Sequence, residues 1–387
     1  MAALTEELTL LSPAVSEVLQ PAFTLWYQQK DITNDIAPYV TSVTYTDSIK
    51  NESDSIEVRL DDTDGRWMDK TWYPGTGDTL SLKLGYLGEM LFDCGTFSID
   101  EIEVIAPPSE VIIRGVATSV NRALRTKSNR GFEDTTLAAI ATRIAKKHQL
   151  MLVGKIQIIK INRVTQYAET DVAFLKRLAS EYGYAVKVVS DQLIFSHLAT
   201  LRNQASVRQI KRTDVARFSL SDTISHVYKN AKTKYQKGSE KKLMVYEANG
   251  GANNEMKPAS AETSADTLKV NVRAADASGA RMKTDAALDA HNEKQQKGSM
   301  TLMGSPQLAA GNKVELVSFG QLSGHWLIES ARHALERGSG YTTEIGLIRG
   351  PITAGKRKSD GGKTLVTYHP DGSQTTQTVK SKKDIGL

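Results

Sequence analysis

The sequence predicts an α+β fold that is mainly β, with two β-barrel domains flanking a small α/β domain. Three observations carry this expectation. Residues 21–125 and 207–353 are rich in short strand-like runs, whereas residues 126–206 carry two helix-period apolar stripes. One strand phrase is written twice, once in each strand-rich region. Both copies slip phase by one residue at the same place, as a bulge in a bending barrel wall does.

Residues 1–20 form an N-terminal segment. It begins MAALTEELTLLSPAV, with two Glu and no basic n-region, so no secretory signal is expected there. In the first strand-rich domain, residues 21–125, Leu80, Leu82, Leu84 and Tyr86 alternate as a half-buried strand requires. The run DDTDGRW puts Gly65 where a tight turn needs a positive φ. It lacks the spaced acids and distant Glu of a calcium loop.

The middle domain, residues 126–206, should contain a helix in TTLAAIATRIAKKHQL. Leu137, Ile140, Ala141, Ile144 and Ala145 share one face, Thr135 or Thr136 can cap it, and Lys146, Lys147 and His148 suit its negative end. A second helix is expected in YAETDVAFLKRLASEYGY. Asp171 can cap it, Val172, Leu175, Leu178, Ala179 and Tyr182 form its buried stripe, and Gly183 ends it. A hairpin over residues 185–189 and 193–197 follows, turned at 190–192.

The second strand-rich domain, residues 207–353, is interrupted by a polar stretch at 237–266 that reads as a long loop. A surface helix is expected in ASGARMKTDAALDAHNEKQQKGS. The last segment, residues 354–387, reads as a basic tail. Residues 355–387 hold seven Lys or Arg and three Asp, so they carry +4 of the chain's net +5. Such a tail binds nucleic acid or an acidic surface, or is simply solvated.

The repeated phrase pairs GTFSIDEIEV, from Gly95, with GHWLIESARH, from Gly324. Gly95, Phe97 and Ile99 match Gly324, Trp326 and Ile328. Upstream, Gly77-Asp78-Thr79-Leu80-Ser81-Leu82 matches Gly311-Asn312-Lys313-Val314-Glu315-Leu316. Downstream, Ile113-Arg114-Gly115 matches Ile348-Arg349-Gly350. The alternative is coincidence, because Gly-x-aromatic-x-Ile is a common strand phrase and the glycine spacings differ, 18 against 13 residues. A duplicated barrel in a cyclic trimer would present six similar barrels, which is the geometry of an adaptor between sixfold and threefold partners.

Several function classes are disfavoured. No run of 18 apolar residues exists, so no membrane anchor is expected. The single Cys94 excludes an internal disulfide and a cysteine metal cluster, which suits a reducing cytoplasm. GPITAGKR, from Gly350, has Arg357 where a phosphate-binding loop needs Ser or Thr. There is no His-Glu-x-x-His or Gly-x-Ser-x-Gly pattern, and His325 and His333 read as wall positions. A specific nucleic-acid module is not expected, since Tyr368 is the tail's lone aromatic residue.

YAETDVAFLKRLASEYGY and GHWLIESARHALERGSGYTTEIGLI resemble the late control protein D family of contractile-tail phages. DDTDGRWMDKTWYPGTGDTLSLKLGYLGEMLFDCGTFSIDEI and RTKSNRGFEDTTLAAIATRIAKKHQL fit the same family in the same order, so the resemblance covers roughly residues 20–350. The gp27-like half of VgrG belongs to that superfamily. The most specific phrase is Glu169-Thr170-Asp171, Phe174-Leu175, Leu178-Ala179 and Tyr182-Gly183.

The resemblance implies two tube-type barrels per chain and a homotrimeric baseplate hub without enzymatic activity or cofactor. Such a hub joins a hexameric tail tube to a trimeric central spike, with tape measure and baseplate wedge proteins as further candidate partners. Phages, R-type bacteriocins and related injection systems use the part. It implies that residues 169–183 are structural. VgrG-type chains continue into a spike, whereas this sequence stops at Leu387, so a separate spike protein is expected. A truncated VgrG-like type VI secretion hub and a peptidoglycan-degrading tail enzyme are the alternatives. Synthesis in the bacterial cytoplasm and a final place in a tail baseplate are expected. Candidate partner contacts are the 237–266 loop and Lys356, Arg357, Lys358, Lys380, Lys382 and Lys383.

Overall fold

The computed structural model describes residues 19–49, 53–117, 126–189, 191–223, 227–228, 230–237, 242–249, 267–271, 276–293, 295–349, 363–368 and 374–379. The six candidate partner-contact residues of the tail and most of 237–266 lie outside these.

The first strand-rich region contains β1 (Pro21–Tyr27), β2 (Lys30–Asp31), the single turn α1 (Thr33–Ile36), β3 (Val40–Ser48), β4 (Ser55–Asp61), β5 (Thr79–Tyr86), β6 (Phe92–Ile105) and β7 (Glu110–Ala117). Period-2 patterning makes these strands. In β4, Ile56, Val58 and Leu60 are buried and their neighbours are half-buried. In β5, Leu80, Leu82 and Leu84 are buried, as the alternation predicts. Gly65 has φ +71, as its turn requires. These side chains meet Val43, Phe97, Ile99 and Val111 in one core. Each fully buried Leu or Ile contributes about 1.5–3 kcal/mol relative to exposure.

The middle region contains β8 (Lys127–Thr136), α2 (Leu137–Lys147), β9 (Met151–Val153), β10 (Lys160–Thr170), α3 (Asp171–Ser180), β11 (Tyr184–Val189), β12 (Gln192–His197) and α4 (Leu198–Arg202). Thr136 caps α2, accepting from the Ala139 N–H at 3.1 Å. The stripes of α2 and α3 share a core with Phe132, Tyr184 and Phe195. Strands β8 and β10 pair antiparallel across the intervening α2 and β9, and β11 with β12 forms the expected hairpin. One expectation is corrected here. The cap of α3 is Thr170, which accepts from Ala173 at 3.2 Å, while Asp171 opens the helix and turns inward.

The second strand-rich region contains β13 (Ser206–Lys211), β14 (Val215–Asp222), β15 (Asn230–Lys237), β16 (Lys242–Asn249), β17 (Thr267–Asn271), α5 (Ala277–Asn292), β18 (Gln296–Met303), β19 (Lys313–Val317), β20 (Gly324–Glu336) and β21 (Gly340–Arg349). A hairpin of β22 (Lys363–Tyr368) and β23 (Gln374–Val379) follows. A second core forms around Ile210, Met300, Val314, Trp326, Ile328, Ile345 and Leu347.

Three expectations need correction in this region. The 237–266 stretch is not all loop, because β16 lies inside it and pairs with β15. The 354–387 segment is not merely a tail. Its hairpin completes a five-stranded sheet in the order β17-β15-β16-β22-β23. Helix α5 is not a simple surface helix, since Ala280, Thr284 and Leu288 are buried and the Thr284 hydroxyl sits 2.5 Å from that of Thr233 on β15. For the tail hairpin and α5 the reason is long-range pairing, whereas β15 and β16 pair locally, with Lys237 opposite Lys242. A polar strand with a sequence-distant partner carries little local signal.

The two strand-rich regions are not separate bodies. Their strands form one 13-stranded sheet, in the order β14-β18-β21-β20-β3-β4-β7-β6-β5-β1-β2, with β19 on β20 and β13 on β19. The join is β3 against β20, antiparallel from Ser330 opposite Ser48 to Glu336 opposite Ser42.

Candidate functional site: the strand seam and its charged supports

The repeated phrase has the same geometry twice as far as its bulge, but the expected downstream match is corrected, because the pairing registers place Ile113 with Ile345 and Gly115 with Leu347 rather than with Ile348 and Gly350. The Gly77 N–H donates to the Ile99 carbonyl at 2.7 Å, and the Ile99 N–H donates to the Asp78 carbonyl at 2.8 Å. In the second copy the Gly311 N–H donates to Ile328 at 2.9 Å, and the Ile328 N–H donates to Asn312 at 2.9 Å. Leu80 stands opposite Phe97 and Leu82 opposite Gly95; Val314 stands opposite Trp326 and Leu316 opposite Gly324. The phase slip is a register shift in both strands, between Ile99 and Glu101 and between Ile328 and Ser330. Gly95 and Gly324 both have positive φ, +97 and +112.

The equivalence extends through six strands. The first region orders them β3-β4-β7-β6-β5-β1 and the second β14-β18-β21-β20-β19-β13. A second bulge recurs as well, between Val40 and Ser42 in β3 and between Val215 and Arg217 in β14. The copies differ at the last strand, where β1 runs antiparallel to β5 but β13 runs parallel to β19.

The β3–β20 seam is reinforced by buried charge. Lys187, on β11 of the middle region, ion-pairs with Asp47 and sits 2.9 Å from Asp54 Oδ2. Asp47 also accepts from the Ala310 N–H at 2.9 Å, and the Tyr45 hydroxyl donates to Asp54 at 3.3 Å. Burial pushes the Asp54 carboxyl up to about 6; Lys187 opposes this and Asp47 adds to it. Burial pulls the Lys187 ammonium down, but Asp47 and Asp54 outweigh it and hold the group charged. One lysine thus ties the middle region to the seam.

The 169–183 phrase surrounds a second buried charge. Asp171 is fully buried. It accepts from Arg130, from Lys147 Nζ at 2.9 Å and from Gln166 Nε2 at 2.8 Å, and His148 Nε2 lies 2.7 Å away. Burial lowers the His148 pKa, with Lys147 and Arg130 adding to the effect. Glu169 holds Arg177 at 2.6 Å. Phe174 stacks on Phe132, and Leu175, Leu178, Ala179 and Tyr182 fill the core. Gly183 takes φ +77.

These groups stand in three places rather than one. Gly95, Phe97 and Ile99 belong to the first sheet region, Gly324, Trp326 and Ile328 to the second, and residues 169–183 to the middle. No sequence motif pointed to Asp47, Asp54, Lys187, Arg130 or Gln166, and Lys147 and His148 stood out only as helix-end residues. A lysine inside the apolar run YAVKVV was the available sign.

The chemistry of the remaining groups is modest. His325 is exposed beside Ser206, while His333 is buried against Tyr341 and Thr343, so the two do not converge. A cleft of about 560 Å³ lies between the middle region and α5. Of its acids, Asp289 and Glu293 are engaged by Arg202, and Asp285 lies 3.6 Å from Arg281. Among the described residues, no group of three His, Cys, Asp or Glu side chains is placed to hold a metal ion. No helix among them is long and apolar enough to cross a membrane.

Comparison with known proteins gives a consistent assignment. Residues 118–339 match the family described as phage tail baseplate hub (GPD). Over 179 residues the chain is 34% identical to a probable baseplate hub protein of Escherichia phage 186 and 32% identical to that of Escherichia phage P2. Each alignment covers 46% of this chain and 45% of the relative, so it spans about half the length of each. The fold resembles the 43 kDa tail protein of prophage MuSo2 from Shewanella oneidensis, with TM-score 0.62 and 15% identity over 85% of this chain and 98% of that one. It also resembles a tail protein from Neisseria meningitidis MC58, with TM-score 0.61 and 12% identity over 85% and 97% of the two chains.

Proposed function

The chain belongs to the phage tail baseplate hub (GPD) family, and we propose that it is a non-enzymatic homotrimer joining a hexameric tail tube to a trimeric central spike. The observation that carries this reading is the double six-strand arrangement, with one strand order and shared bulges. Each copy is a tube-type barrel, 21–125 and 207–353, with the 126–206 domain between them. Three chains then offer six similar units to a sixfold tube while keeping threefold symmetry toward a spike. Residues 169–183 are structural in this reading, because Asp171 is spent on Arg130, Lys147, Gln166 and His148, and Glu169 on Arg177.

The tail tube and central spike proteins are the principal partners, with tape measure and wedge proteins as further ones. The protein is made in the bacterial cytoplasm and ends in the tail baseplate of a phage or phage-like particle. A peptidoglycan-cleaving role needs two carboxylates facing one substrate. The engagement of Asp289 and Glu293 by Arg202 supports the structural role instead.

Light scattering of the purified chain, alone and co-expressed with the candidate spike protein, tests the reading. Three chains of 42.4 kDa give about 127 kDa, and the spike should co-purify with that species. A monomer in both preparations would overturn it.

A further inference from the structure

The seam inside the chain is a template for a seam between chains. Strand β20 has β21 along one side from Leu327 to Glu336. Along its other side lie first β19, to Leu327, and then β3, from Ser330. Strand β6 is built the same way. It has β7 on one side from Phe97 to Ile105, and β5 on the other side only as far as Ser98. Beyond the bulge, among the described residues, no strand occupies the place on β6 that β3 occupies on β20.

The missing strand has a counterpart at the far end of the sheet. Strand β14 occupies the position of β3 in the second copy, and among the described residues it pairs with β18 alone. Carrying the pairings across both copies aligns Tyr45 with Leu220, Val43 with Phe218 and Asp47 with Asp222. The same procedure aligns His333 with Val104 and Ala331 with Ile102.

The side chains carry the same message. Val43 and His333 are 0% and 1% exposed in the intrachain seam. Their equivalents on the open edges, Phe218 and Val104, are apolar yet 39% and 44% exposed. Apolar residues at inward-facing positions of two uncovered edges are a liability unless the edges are paired in the working assembly.

We infer that β6 beyond its bulge pairs antiparallel with β14 of a second copy of this chain, in the register of the β3–β20 seam. Val104 then stands opposite Leu220, Ile102 opposite Asp222, and Ile105 opposite Ser219. The contact is head-to-tail, since the two edges differ, so identical seams propagate from chain to chain and close into a ring. The inference rests on the trimeric reading above and adds to it the strands and register of the interface.

Paired cysteines test it. Residues directly opposite on antiparallel strands have Cα atoms about 4.5–5.5 Å apart, within disulfide reach. The native Cys94 is buried and does not compete. Full-length Val104→Cys/Leu220→Cys should give covalent dimers and trimers on oxidation, while each single variant stays uncrosslinked. The shifted pair Ile105→Cys/Leu220→Cys should crosslink at least tenfold less. Light scattering of the reduced samples separates the two ideas. A particle of about 127 kDa without the Val104/Leu220 crosslink, or with more crosslink in the shifted pair, overturns the register and leaves the trimer standing. A reduced monomer without crosslink overturns both. Val104→Lys gives a second check, since this exposed site should tolerate the change in the folded chain. It should release monomers with an unchanged circular dichroism spectrum, and a persistent trimer would sink the proposed seam.

Discussion

His333 lies directly opposite Tyr45 across the β3–β20 seam, and their rings stack with centroids 5.9 Å apart. Burial drives the His333 pKa down to about 4, outweighing the nearby Asp47. The folded value lies below the ordinary 6.5, so the neutral ring is the form that folding favours. Its contribution is complete above about pH 6.5 and is lost as pH falls through about 4. The difference corresponds to about 3 kcal/mol. In urea unfolding, His333→Gln should therefore lose stability relative to wild type at pH 7 and recover ground toward pH 4. Parallel pH profiles would remove the argument.

Asp54 should show the opposite slope. Its folded pKa of about 6 lies above the ordinary 3.8. Its contribution is complete below about pH 4 and is lost as pH rises through about 6, again by about 3 kcal/mol. Asp54→Asn should then gain relative to wild type as pH rises from 4 to 7. Because the two slopes nearly cancel, wild-type stability should be flatter across this window than that of either variant.

Lys187→Met should be severely destabilising. It leaves Asp47 and Asp54 buried beside each other without their shared cation. Breaking such a group costs about 3–5 kcal/mol. The loss should be smaller at pH 5 than at pH 7, because Asp54 takes up a proton. A denaturant midpoint within error of wild type at pH 7 would contradict this account.

Within the 169–183 phrase, Asp171 and Thr170 should differ in weight. Asp171→Ala strands Arg130, Gln166 and His148, at about 3–5 kcal/mol. Thr170→Ala removes one cap bond, at about 1 kcal/mol. Chemical denaturation of the two variants compares them directly, and equal losses would show that the buried carboxylate is not the dominant element.

The paired glycines offer a test of equivalence. Gly77 and Gly311 have φ +95 and +93, and a Cβ at either would meet nothing within 4 Å. The cost of Gly→Ala is thus conformational, about 1–2 kcal/mol at each site. Thermal unfolding should show matching losses. A large inequality would mean that the two turns carry different strain despite their shared hydrogen bonds.

Much of the fold was legible in local pattern. The repeated phrase, its bulge, the Thr136-capped α2 and the left-handed Gly183 are all short-range signals, carried by periodicity and by residues that tolerate special backbone angles. Residues 169–183 pointed to the family for the same reason, since their spacing is a contiguous helix stripe. The sequence by itself thus determined where most helices and strands form and that one strand phrase is written twice. Only the tertiary structure decided that β3 meets β20, that β16 and the β22–β23 hairpin build a separate sheet, and that Asp47, Asp54 and Lys187 share one buried site. Those choices join residues more than a hundred positions apart. No local propensity encodes them, because strand partnership and charge pairing are settled by which distant surfaces can be buried together.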